Sequence, residues 1–115
     1  LIRATDEEIK KSMEETRAKI KKANLRHSYW IATYDSYLNT FIPGLPLSFY
    51  DAKKLVQSGG NVFARTRQDA HRLAKAASYR KEDPIYEPDH GRGKPGYWDH
   101  YHLAGRQGGH VFYVF

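Results

Sequence analysis

Four of the six histidines fall between residues 90 and 110: His90, His100, His102 and His110. Imidazole is the side chain that both gives and takes protons near neutral pH. Two of these residues, His100 and His102, are spaced by two. On a strand that spacing points both side chains to one face, together with Trp98. A hairpin that sets His102 opposite His110 would bring a third imidazole to the same face. That register also collects Tyr97, Tyr101, Val111, Tyr113 and Phe115 on the other, largely apolar face. It is the expected one because it separates the two faces; a slip of one residue would remove His110 from the cluster.

Three roles are open to such a cluster. The first is metal-independent acid–base catalysis of phosphodiester transfer. It needs a base for the 2′-hydroxyl, an acid for the leaving oxygen and a cation for the charge on phosphorus. His102 and His110 are the candidate proton carriers, with His100 beside them. Arg106, in the glycine-rich loop between them, is the candidate cation, with Arg92 or Lys94 as helper. Tyr113 could donate a hydrogen bond, although the expected register puts it on the opposite face. The second role is metal binding, since His-x-His with Asp99, His90 or His110 offers ligands for zinc or another transition metal. The third is structural: hydrogen-bonded histidines at a sheet edge. The first reading needs no cofactor. His71, with Arg67 and Lys75 one turn away on either side, forms a basic stripe that could seat phosphates or simply face solvent. Asp89 and His90 adjoin a glycine turn, and turn chemistry is the simpler reason for Asp89. His27 has no visible partner.

These residues need elements to position them. Thr5 and Glu8 have the spacing of a capping box, with acids in the first turn and lysines near the end, so a helix is expected up to about residue 23. Its apolar stripe (Ile9, Met13, Ile20, Ala23) is thin, which suits a peripheral helix or a linker. Tyr34, Tyr37, Leu38, Phe41 and Ile42 fit a 3.6-residue period and predict a buried second helix over 25–42, stopped by Pro43-Gly44-Leu45-Pro46. Ser48 can cap a short helix through Val56, which Ser58-Gly59-Gly60 would end. Residues 61–64 read as a strand. Thr66 can cap a helix from Arg67 to Ala77 with Ala70, Leu73, Ala74 and Ala77 on one face. Residues 84–88 read as a strand that two prolines confine to an edge, and 97–103 with 110–115 as a hairpin. The fold class expected is α+β: N-terminal helices, then a small, mostly antiparallel sheet of three or four strands with one packed helix, in a single domain over 1–115.

Bulk properties narrow the function classes. Nineteen Lys and Arg against 13 Asp and Glu give a formal charge of +6, spread over both halves of the chain, which favours acidic partners. The nine Tyr, five Phe and two Trp are suited to core packing and to stacking on bases. With no cysteine there is no disulfide framework and no thiolate chemistry. No apolar run approaches the roughly 20 residues that span a bilayer, so no membrane span is expected. A start at Leu1 rather than Met leads us to expect a piece of a longer polypeptide.

Residues 61–115 carry a further signal. The strings Asn61-Val62-Phe63, Ala70-His71-Arg72-Leu73-Ala74-Lys75-Ala76-Ala77, Pro84-Ile85-Tyr86-Glu87, Gly96-Tyr97-Trp98-Asp99-His100-Tyr101-His102 and Gly108-Gly109-His110-Val111-Phe112-Tyr113 stand in that order. Together they resemble the C-terminal toxin domains of bacterial polymorphic toxins of the Rhs, LXG and contact-dependent-inhibition type. The resemblance covers about half of the chain. It implies a secreted or surface-delivered toxin acting in the cytoplasm of a competing bacterium. Many such domains are nucleases, often metal-independent ribonucleases, so it implies RNA as substrate and His100, His102, His110 and Tyr113 as positions to test. It also implies a dedicated immunity protein with an acidic face, and a domain that is a monomer when free. Two other classes stay open: a metal-dependent enzyme on the same histidines, and a non-catalytic binding module in which Trp98, Tyr101 and Tyr113 stack on bases.

Overall fold

The computed structural model describes residues 2–88 and 91–115, so the readings of Asp89 and His90 lie outside the described residues. Helix α1 spans Asp6–Lys22, and its N-terminus carries the full capping box, with the Thr5 hydroxyl accepting from the Glu8 amide and the Glu8 carboxylate accepting from the Thr5 amide. Strands β1 (Tyr29–Asp35) and β2 (Thr40–Leu47) follow, then α2 (Phe49–Gln57), β3 (Asn61–Ala64), α3 (Arg67–Ala77), β4 (Ile85–Glu87), β5 (His100–His102) and β6 (His110–Tyr113). The fold is α+β. The six strands form one sheet in the order β2-β1-β3-β6-β5-β4. All neighbours are antiparallel except β3 and β6.

The helix predicted over 25–42 is instead the β1–β2 hairpin. Its residues explain the correction. Tyr29, Trp30, Ile31, Thr33 and Tyr34 are aromatic or β-branched and favour a pleated surface. Asp35 Oδ1 accepts from the Leu38 amide at 2.9 Å, which closes the turn, and Asn39 takes a left-handed φ of 52°. The apparent 3.6-residue period therefore straddled a strand, a turn and a second strand. Pro43 and Pro46, read as a helix stop, lie inside β2 and are tolerated because β2 is an edge strand. The sheet has six strands, against the three or four expected. The caps at Ser48 and Thr66, each accepting from the amide three residues on at 3.1 Å, start α2 and α3 where their spacing predicts.

Helices cover both faces of the sheet. On one side α2 and α3 bury Val56, Ala70, Leu73 and Ala74 against Tyr29, Val62, Tyr101 and Val111. On the other, α1 buries Ile9, Met13 and Ile20 against Trp30, Phe63, Trp98 and Phe112. The thin stripe of α1 is thus a packed face. Arg65 fastens the C-terminal end of α1, its guanidinium lying 5.3 Å over Trp30 and donating to the carbonyls of Ile20, Asn24 and His27. No described helix is long and apolar enough to cross a membrane.

Candidate active site

Side chains directly opposite one another on paired strands share a face. Across β4, β5 and β6 this rule sets Glu87, His100 and Phe112 in one row, and Ile85, His102 and His110 in the next. The register is the expected one, with His102 opposite His110, and all three imidazoles stand on the α1 side of the sheet. Ring centroids are 4.9 Å apart for His100 and His102, 5.3 Å for His100 and His110, and 4.6 Å for His102 and His110.

Each ring is held by a named partner. His100 Nδ1 lies 3.0 Å from the Trp98 carbonyl, an acceptor only, so Nδ1 carries the proton. His110 Nδ1 lies 2.9 Å from Asn61 Oδ1, which also accepts from the His110 amide at 2.9 Å. Asn61 thereby fixes the tautomer of His110 and leaves Nε2 with its lone pair in the neutral ring. Burial first, then the neighbouring charges of His102 and His100, push the His110 imidazole below its ordinary range. His102 Nε2 donates to Glu87 Oε2 at 2.9 Å, and His100 Nε2 lies 3.3 Å from both that oxygen and His102 Nε2. Arg106 Nη2 donates to the other Glu87 oxygen at 2.7 Å. One carboxylate therefore gathers two imidazoles and a guanidinium.

Close glycine packing sets the start of β6. Gly108 has a φ of 81°, and the Gly109 amide donates to the Val56 carbonyl at 2.8 Å. A Cβ on Gly109 would lie 1.5 Å from the Gly60 carbonyl oxygen. Gly109→Ala must push β6 away from the turn after α2, and His110 with it. We expect a loss of about 1–3 kcal/mol or more, read as a lower urea midpoint. An unchanged midpoint would mean that the approach is not needed.

Among the residues singled out by sequence, His100, His102, His110 and Arg106 come together. Tyr113 does not. It lies on the opposite face, its hydroxyl 3.2 Å from that of Tyr86 and donating to Asp99 Oδ2 at 3.3 Å. Burial, the Tyr86 contact and the Asp99 charge push its ionisation upward. Trp98, proposed as a stacking residue, is only 6 % exposed: it is a core side chain edge-on to Phe63, with its indole N–H donating to the Phe41 carbonyl. Tyr101 is buried under α3. The stripe on α3 also faces away from the imidazoles. Arg67 donates to the Tyr101 hydroxyl at 3.0 Å and stacks 4.0 Å over Tyr86, His71 meets the Tyr101 ring edge at 5.4 Å, and Lys75 pairs with Asp83 at 2.6 Å. Arg92, with a left-handed φ of 51°, is exposed in the loop before β5, and Lys94 lines a groove with Lys10 and Arg17.

Sequence reasoning missed Glu87 and Asn61. The alternation of Ile85 and Glu87 was visible; their alignment with His102 and His100 was not. The parallel pairing that brings β3 beside β6 is likewise non-local. As for metal, His100, His102 and His110 each offer a ligand atom within 4.8 Å of the others, so the three could hold a transition-metal ion. Compared with family models, curated proteins and solved structures, the chain matches none.

Proposed function

We propose that this domain is a metal-independent ribonuclease that cleaves RNA by internal attack of the 2′-hydroxyl on phosphorus. The observation that carries the reading is the complementary hydrogen bonding of two adjacent imidazoles. His110, its Nδ1 held by Asn61, presents Nε2 as base. His102, hydrogen-bonded to the Glu87 carboxylate, forms an ion pair in its protonated state and serves as acid. The O2′–P bond forms as the 2′ proton passes to His110 Nε2. The P–O5′ bond breaks as His102 protonates O5′, leaving a 2′,3′-cyclic phosphate and a 5′-hydroxyl. Arg106 has donors beyond the one given to Glu87 and places positive charge where the phosphorane oxygens become more negative. His100 shares Glu87 and completes the wall of the site.

A second reading has its own observation: three ring nitrogens within 4.8 Å of one another suit a metal-dependent nuclease. Incubating the purified protein with total RNA, with and without a chelator, separates the two on a gel. Cleavage that survives the chelator is expected; cleavage abolished by the chelator and restored by zinc or another divalent ion moves the histidines to the metal reading. Intact RNA under both conditions defeats both. The toxin resemblance adds delivery into a target bacterium and an acidic immunity protein covering Arg106, Arg92 and Lys94. Both depend on the domain being harmful to RNA, so the same gel tests their premise.

A further inference from the structure

Beside His100, on the same face of the sheet, a cleft of about 260 Å³ opens between the β1–β2 hairpin and the segment before β5. Its floor is Phe41 and Phe112, whose rings meet at 4.8 Å, and Phe112 in turn meets the His100 ring at 5.5 Å. Two tyrosines line it and remain about half exposed: Tyr34 at 49 % and Tyr97 at 48 %. The Tyr34 hydroxyl donates to Asn39 Oδ1, which leaves the amide N–H groups of Asn39 as donors at the rim. Tyr97 also lines a second groove, shared with Lys10, Arg17, Lys94 and Glu14; Lys10 pairs with Glu7 at 3.5 Å on the exposed side of α1, and Arg17 lies 5.3 Å over the Trp98 ring. Along this face, then, come three imidazoles, an aromatic slot and a group of three cations with one carboxylate.

We propose that the aromatic cleft is the subsite for a nucleobase of single-stranded RNA, with a neighbouring phosphate on Lys10, Arg17 and Lys94. The inference rests on the ribonuclease reading and adds where the strand runs. Alternating π-faces and cations are what a single strand recognises, because every base has a flat face and every link a negative charge. The Asn39 amide can donate to a ring nitrogen or carbonyl of the base. The larger cleft of about 710 Å³ at the end of α3 is a poorer candidate, because its lining includes none of the imidazoles.

The test uses the His110→Ala protein, expected to cleave about 10²–10⁴-fold more slowly, and a labelled single-stranded oligoribonucleotide followed by fluorescence anisotropy. Adding Tyr97→Ala or Tyr34→Ala should weaken binding by about 5- to 100-fold, the range for losing one stacked base. Tyr97→Phe keeps the ring and should keep the affinity. Replacing Lys10, Arg17 and Lys94 together by Ala should flatten the dependence of log affinity on log salt, by about 0.7 for each phosphate that is no longer neutralised. Both tyrosines are exposed, and an unchanged melting temperature excludes unfolding as the cause. Cleavage by the unmodified protein combined with unaltered binding in both tyrosine-to-alanine variants overturns the subsite and leaves the ribonuclease reading standing. Absence of cleavage by the unmodified protein overturns that reading, and the subsite with it.

Discussion

His110→Ala and His102→Ala should each lower RNA cleavage by about 10²–10⁴-fold, the usual cost of removing a general acid or base. Both variants should fold, because both rings are only partly buried at the α1 face and neither belongs to the two apolar clusters. The double variant should be little slower than either single one. A base without its acid leaves the 5′ oxygen as a poor leaving group, and an acid without its base leaves the 2′ oxygen protonated, so the pair acts as a unit. Single-turnover rates on a defined oligoribonucleotide measure all three. Near-normal rates in both single variants would remove proton transfer from these histidines, and simple multiplication of the two losses would mean that they contribute independently and not as a unit.

The pH dependence follows from the same geometry. His110 faces His102 and His100 on β5, with Glu87 on β4 beyond them, and burial with the two neighbouring imidazoles outweighs the carboxylate. Its folded pKa therefore lies below the ordinary value of 6.5. A base must be neutral to act, so the acidic limb of the bell-shaped rate profile should fall below pH 6.5. The sign for stability is opposite to that of a histidine that gains a partner. Below about pH 6.5 the unfolded chain takes up a proton that folded His110 still refuses. The unfolded state then binds more protons, and stability drops as the pH falls. In His110→Ala the acidic limb should vanish and this part of the stability loss with it.

What the sequence disclosed was governed by short range. The capping box at Thr5 and Glu8, the caps at Ser48 and Thr66 and the His-x-His spacing are local chemistry, and each is found where its residues predict. The His102–His110 register was legible because a one-residue slip would have turned every side chain of β6 to the wrong face. The β1–β2 hairpin was not legible, because Tyr34 to Ile42 imitate a helical period while crossing a turn. The partners of the imidazoles were hidden for a different reason. Glu87 and Asn61 reach the site through β4–β5 and β3–β6 pairing, and strand order is not written in periodicity. Composition likewise did not distinguish buried Trp98 and Tyr101 from exposed Tyr34 and Tyr97.

Glu87→Gln is the sharpest test of the missed residue. The substitution keeps the shape of the side chain and removes its charge. In the unaltered site one carboxylate accepts from His102 at 2.9 Å and Arg106 at 2.7 Å, with His100 at 3.3 Å. Without that carboxylate, His102 and Arg106 lose their shared acceptor, and the amide nitrogen of Gln is a donor that cannot replace it. Cleavage should fall by about 10²-fold or more. Arg106→Ala acts differently. It removes a donor to the phosphorane, at about 2.7–4 kcal/mol if it works as an oxyanion donor does. It leaves Glu87 on His102. A substrate whose 5′ leaving group departs without a proton therefore separates a residue that positions the acid from one that stabilises charge on phosphorus: it should restore most of the rate in Glu87→Gln and little in Arg106→Ala. If Glu87→Gln cleaves the ordinary substrate at a near-normal rate, Glu87 does not position His102, and the acid must be sought elsewhere in the cluster.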